Sequence, residues 1–291
     1  MRDWRATSGP ASSVRRAAIL RRLRDYFESE AVLEVDTPAL STAAASDVQI
    51  ESLEVHSVLS DKPLFLHTSP EFCMKRLLAS GYPDIYSICR VFRDGETGRR
   101  HQPEFTMVEW YRHGYQLDAI IADTLKAIAA ALGNPALVDD AIVTDYRDVF
   151  IRVLDIDPLT ATITELADAA KADTALRTAL GDERDGWLDL LISTQLAATF
   201  ANDRLTVIRH YPATQAALAQ ICPDDPGVAD RFEVFFGPLE CANGYVELTD
   251  AQTQAARIAE DQAKRQQFGR RIRAHDESLI RALAAGLPPC A

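Results

Sequence analysis

The sequence predicts an α+β fold, an antiparallel sheet flanked by helices, and three observations carry that expectation. Two pairs of strand-like runs are joined by short connections: Ile85–Phe92 with Glu104–Arg112, and Arg231–Phe236 with Leu239–Leu248, which turns at Gly237-Pro238. Between the two hairpins, Leu117–Leu132 repeats its apolar residues at helical spacing and stops at Gly133. Strand pairs with helices between them argue against a doubly wound parallel sheet.

The remaining elements follow in order. Residues 12–30 read as a helix capped by Ser12 or Ser13, with Ala17, Leu20, Leu23 and Phe27 on one face. Residues 34–40 are extended, broken at Asp36-Thr37-Pro38, because proline cannot continue a helix and pushes Thr37 into extended geometry. Val48, Ile50, Leu53 and Val55 suggest strands through 48–58, and residues 63–68 suggest another. Ser69-Pro70-Glu71 is a helix start, with Ser69 as cap and Pro70 in the first turn. Residues 134–203 carry weak helical patterns, Ile163–Ala170 and Trp187–Thr199, and read as a helical insertion in one domain covering 1–291. Leu205–His210 resumes strand character, and Asn243-Gly244 marks a bulge or turn in the second hairpin. Thr249 or Asp250 caps a long polar helix to about Phe268, and a last helix spans 275–285.

Composition narrows the function. The chain has 291 residues, 47% hydrophobic and 25% charged, as in ordinary globular proteins, without internal repeats. No apolar run approaches the ~20 residues of a membrane span, and the N-terminus has no secretory h-region. Five scattered cysteines without a CxxC pair read as reduced, mostly packed thiols of a cytoplasmic protein. A net charge of −12 disfavours a polyphosphate backbone as partner but leaves room for a nucleotide, whose few charges are met locally.

The stretch Ser87–His113 offers such a place. Phe105, Met107, Glu109 and Tyr111 share one face of a strand, and Arg93 ends the facing run. The loop between them, with Gly95, Gly98, Arg99, Arg100 and His101, is flexible and positive enough to fold over a polyphosphate. An amphipathic hairpin with a charged turn is the competing structural reading. Residues 232–250 form a second constellation. Glu233, Glu240 and Glu247 lie in or beside apolar runs, where carboxylates are rarely buried without partners. They are salt-bridged, face solvent on an edge strand, or line a site for Mg²⁺ or a substrate ammonium.

The segments FRDGETGRRHQPEFTMVEWY, EVDTPAL and FEVFFGPLECANGYVELTDA resemble motif 2, motif 1 and the block before motif 3 of lysyl-type class II aminoacyl-tRNA synthetases. Together with TSPEFCMKRLL and HYPATQAALAQI, they most resemble the branch of that family that attaches (R)-β-lysine to a lysine of elongation factor P. The likeness runs from about Ser12 to the C-terminus. It implies a cytoplasmic homodimer formed through motif 1, with ATP and Mg²⁺ as cofactors and lysine or β-lysine and elongation factor P as partners. Only a few residues precede the motif 1 helix, so no anticodon-binding domain is expected and tRNA is not the expected substrate.

By position, the resemblance implies that Arg93 is catalytic and holds the α-phosphate and the substrate carboxylate. Phe105 stacks on adenine. Asp94, Gly95, His101, Gln102, Glu240 and Cys241 belong to the ATP site, and Glu233 and Glu240 coordinate Mg²⁺. Ser69, Pro70, Glu71, Tyr111, Asn243 and Glu247 form the amino-acid pocket, with Glu71 and Glu247 facing the ammonium groups. Glu109 reads as a structural partner of the loop arginines, Cys241 as a packing residue before it is a nucleophile, and Tyr245 as core. Three departures stand out. Gly95 occupies the glutamate position of motif 2, with Glu96 next; Gln102 replaces an asparagine; and GLPPCA (286–291) resembles the lead-in to motif 3, whose glycine-rich strand and arginine are not in this sequence. Two rival readings follow: a truncated lysyl-tRNA synthetase, and a nucleotide-binding paralogue without catalysis.

Overall fold

A computed structural model describes residues 6, 8–58, 60–98 and 100–291. Arg99 of the basic loop lies outside the described residues. In chain order the elements are α1 (Pro10–Ser29), β1 (Leu33–Glu34), β2 (Leu40–Ser41), β3 (Glu54–Val55), β4 (Leu64–Leu66), α2 (Glu71–Ala79), β5 (Ile85–Phe92), β6 (Glu104–Tyr111), α3 (Leu117–Leu132), α4 (Ala136–Asp139), β7 (Ile142–Asp145), α5 (Tyr146–Leu154), α6 (Ile163–Ala169), α7 (Thr174–Leu180), α8 (Arg184–Leu191), β8 (Leu205–Pro212), β9 (Val228–Phe236), β10 (Leu239–Tyr245), α9 (Ala251–Gln267) and α10 (Glu277–Gly286). Among the described residues no helix is long and apolar enough to cross a membrane.

The chain divides into two compact units. One comprises the residues up to Glu30 together with Gln116–Val246. Its sheet runs β10-β9-β8-β7, antiparallel except that β7 pairs parallel to β8. β7 was not expected: residues 134–203 are mostly helical, but Ile142–Asp145 leaves the helical run to lengthen the sheet. Its four residues are too few for a periodic signal, and its side chains are exposed or only partly buried. The helices that follow close over the sheet around Trp187, Tyr146, Phe150, Leu166, Tyr211 and Phe235, the main core of this unit. α8 passes into a π turn at Ile192–Leu196 and a 3₁₀ turn at Ala197–Thr199.

The other unit comprises Ala31–Tyr115 and Glu247–Ala291. It holds two three-stranded sheets, β1-β5-β6 and β2-β4-β3. β5 and β6 pair in full antiparallel register from Ile85↔Tyr111 to Phe92↔Glu104, while β1 joins β5 in parallel. α2 and α10 pack their apolar faces against Ile85 and Tyr111, with Met74, Leu78, Leu279 and Leu283 between them. The segment after α10 returns to the sheet: Arg112 and Ala291 exchange backbone hydrogen bonds, and the Glu247 amide donates to the Cys290 carbonyl.

Several local expectations are corrected. Ser12 and Ser13 lie inside α1, which starts earlier because Pro10 sits in its first turn after Gly9. Ser69 makes no capping bond, and α2 begins at Glu71 with Pro70 in the cap position. Of the strands expected through 48–58, only Glu54–Val55 forms; Val48 and Ile50 lie in irregular backbone, where Val48 accepts a side-chain bond from Arg270. The irregularity in β10 falls at Cys241, between Glu240 and Ala242, whereas Asn243 and Gly244 sit in regular register opposite Glu233 and Phe232. Gly244 is required there by a close approach: a Cβ would stand 2.6 Å from the Phe232 ring. Of the two candidate caps for α9, Asp250 caps it, accepting from the Thr253 amide at 2.7 Å.

Candidate active site

The β5–β6 hairpin places its functional groups through the alternation of the strand. On β6 the Tyr111 hydroxyl donates to Glu109 Oε1 at 2.9 Å, so the expected shared face is real. At the other end, Arg93 follows β5, its amide donating to the Pro103 carbonyl, and its guanidinium lies 5.2 Å from the centre of the Phe105 ring. Arg93 Nε is buried without a hydrogen-bond partner, and Nη1 stands 3.8 Å from Glu96. A planar cation with an unused donor suits an anionic oxygen. His101 and Gln102 are exposed, and the Gly98 amide donates a hydrogen bond to the His101 carbonyl at 3.0 Å. Asp94 bridges to Glu51 through backbone, and its side chain accepts from the Gly95 amide.

Tyr111 and Glu109 belong to a buried electrostatic cluster whose centre the sequence reading missed. Lys75, 1% exposed on α2, places its ammonium 2.6 Å from Glu71 Oε1, one helical turn away, and 2.5 Å from Glu247 Oε2. Glu71 and Glu247 therefore already share a cation supplied by the chain. Glu109 is a member of this group. Burial first, then the charges of Glu71 and Glu247, push its carboxyl up to about 8. Burial also pushes Glu247 up to about 8, against the pull of Lys75. Burial alone would strip the proton from Lys75, but Glu247 and Glu71 raise its affinity for it. Three carboxyls thus face one ammonium. Lys75 stays charged, and the surplus negative charge is relieved by a proton on Glu109 or Glu247. The cluster holds more carboxyl groups than cations. The only signal for Lys75 in the sequence is its place one turn after Glu71. Ser69 and Pro70 lie at the foot of α2, just before Glu71.

In the other unit, Arg231 organises the remaining candidates. Its guanidinium meets Glu233 Oε1 at 2.7 Å, donates to Asn243 Oδ1 at 3.0 Å and to the Gln215 carbonyl at 2.7 Å, and lies over the Tyr211 ring at 4.6 Å. Glu233 is buried and ion-paired with Arg231 through Oε1, which leaves Oε2 as the oxygen open to a cation. Glu240 is exposed beside the β10 bulge and fits as one carboxylate ligand of an ion held chiefly by phosphate oxygens. Cys241 is exposed too, with its thiol donating to the Leu239 carbonyl at 3.4 Å, and is not a packing residue. Tyr245 packs partly buried against Ala216, Ala219 and Ala229.

The model of the family described as tRNA synthetases class II (D, K and N) matches residues 3–291. The chain belongs to this family. It is 39% identical over 293 residues to an elongation factor P--(R)-beta-lysine ligase of Sodalis glossinidius (strain morsitans), covering 99% of this chain and 89% of that relative. It is 40% identical to proteins of the same name from Klebsiella pneumoniae (strain 342) and Edwardsiella ictaluri (strain 93-146), with the same coverage. For a class II synthetase the departure at Gly95 has a structural counterpart. Gly95 takes φ +78°, a conformation a glutamate adopts only with strain, and Glu96 is the carboxylate that reaches Arg93.

Proposed function

We propose that this chain is an ATP-dependent, AMP-forming ligase that activates (R)-β-lysine, or lysine, as an aminoacyl adenylate and transfers it to a lysine side chain of elongation factor P. Identity of about 40% over nearly the whole chain to proteins carrying that name supports the substrates. The observation that carries the chemistry is the Glu71–Lys75–Glu247–Glu109 cluster. A lysine-like substrate brings two ammonium groups, and a buried site with three carboxyls and one cation can accept such charge.

In this reading Arg93 uses its free Nε donor to hold the α-phosphate and to orient the amino-acid carboxylate for in-line attack. Phe105 offers its ring to adenine, and His101 and Gln102 contact the nucleotide. Mg²⁺ would bind Glu240 and phosphate oxygens and offset charge as pyrophosphate leaves. Arg231 keeps Glu233 and Asn243 in place, so Asn243 presents its amide in one orientation. The elongation factor amine then attacks the adenylate carbonyl, forming an amide and releasing AMP. No enzyme side chain needs to become covalently attached. Leu40 in the motif 1 segment and Leu33 just before it are exposed and suit burial against a second copy.

The deciding experiment is the intact mass of elongation factor P after incubation with this chain, Mg-ATP and either (R)-β-lysine or α-lysine. A gain of one lysyl unit is expected. An unchanged mass with both amino acids, from protein shown to be folded, would overturn the assignment.

A further inference from the structure

Where β8 gives way to the loop before β9, a group of side chains lies outside the roles given above. The register slips between Arg209 and Tyr211, and His210 there adopts φ +58°, a left-handed conformation disfavoured for a residue with a Cβ. The His210 Nδ1 stands 3.1 Å from Asp145 Oδ1, an oxygen that also accepts from Arg209 Nε at 2.8 Å. A carboxylate held by arginine makes Nδ1 the protonated nitrogen and leaves the Nε2 lone pair free to bind. Nε2 lies 3.9 Å from Asp230 Oδ1, and the Cys222 sulfur completes the group: one donor atom from each of the three residues lies within 4.8 Å of the others.

These donors are fixed by backbone. The Cys222 amide donates to the Val228 carbonyl at 3.0 Å, and the Asp230 amide to the Gln220 carbonyl at 2.9 Å. Asp230 is buried, while His210 and Cys222 are partly exposed, so an ion has a way in and a position for water.

We propose that His210, Cys222 and Asp230 bind a borderline divalent transition metal, zinc foremost, with Asp145 as the carboxylate that orients the histidine. Nitrogen, thiolate and carboxylate together are a zinc-type donor set. A thiolate, a carboxylate and a neutral imidazole sum to −2 and balance a dication. Tetrahedral ligands at zinc bond lengths stand roughly 3.5 Å apart, so side-chain rotations of about 1 Å close the site. The metal takes the place of the Cys222 thiol proton, which is released to solvent. The rival arrangement, an imidazolium bridging Asp145 and Asp230, has no use for the thiol.

The test is titration of the chelator-treated, reduced, full chain with Co²⁺ as optical probe, followed by Zn²⁺. One equivalent of Co²⁺ per chain is expected, with a thiolate-to-metal charge-transfer band that Zn²⁺ abolishes. Cys222→Ser should remove the band although the other four cysteines remain, and Asp145→Asn should weaken binding about 10- to 100-fold. No stoichiometric uptake by the unmodified chain, or a band that survives in Cys222→Ser, overturns the proposal. The first measurement needs no variant to fold.

Discussion

Lys75 is the residue on which the buried carboxyl cluster turns. It is nearly inaccessible and holds Glu71 and Glu247 through one ammonium. Replacing it by methionine keeps most of the volume but leaves buried carboxylates facing one another. Removing one partner of a buried ion pair costs about 3 to 5 kcal/mol, so Lys75→Met should lower stability to urea by that order at pH 8. The loss should shrink on acidification, as the carboxyls take up protons. Glu109 and Glu247 set a second pH dependence. Their carboxyls are raised from the ordinary 4.5 to about 8, so the folded chain binds more protons than the unfolded one between those values. Their contribution to stability is therefore complete below 4.5 and is lost as pH rises through about 8. The melting temperature should fall over that window, and Glu109→Gln, which cannot ionise, should flatten the fall. An equal slope in the variant would remove Glu109 from the cluster.

At the scale of elements, the long amphipathic segments were the most legible. α3 runs from Leu117 to Leu132 as its periodicity predicts, and β5 and Gly237-Pro238 stand where expected. Short elements were not legible. β7 has four residues and β3 two, and strands of that length acquire their identity from a neighbour and not from their own pattern. The bulge in β10 was misplaced because Asn243-Gly244 looks like a turn, yet its glycine answers a packing demand from the Phe232 ring. Phe232 is fully buried and has little room to turn away. Gly244→Ala should therefore destabilise the chain by about 1 to 3 kcal/mol, the range for overpacking a filled site, read from urea denaturation at equilibrium. A change near zero would mean that the strand relaxes around the methyl group.

At the scale of the whole molecule, contacts between distant parts of the chain support the backbone beside Arg93. Arg265 on α9 is fully buried, donates to the Asp47 carbonyl at 2.7 Å and pairs with Glu51. The Glu51 carbonyl in turn accepts from the Asp94 amide at 2.8 Å, next to Arg93. Arg265→Ala should then raise the KM for ATP more than the KM for the amino acid in an ATP–pyrophosphate exchange assay, because the loss reaches Arg93 through Glu51 and Asp94. Equal rises in both would show a general loosening instead. The sequence by itself determined the family, the long helices and the two hairpins, because these rest on periodicity and on motifs contained in short windows. It also singled out Glu71, Glu247, Arg93 and Phe105. Only the tertiary structure decided that Lys75 pairs with both Glu71 and Glu247, that Arg231 pairs with Glu233, and that Glu109 joins the Lys75 cluster. Carboxylates in an apolar run must find partners, but which cation each one meets depends on chain segments far apart in sequence and close only after folding.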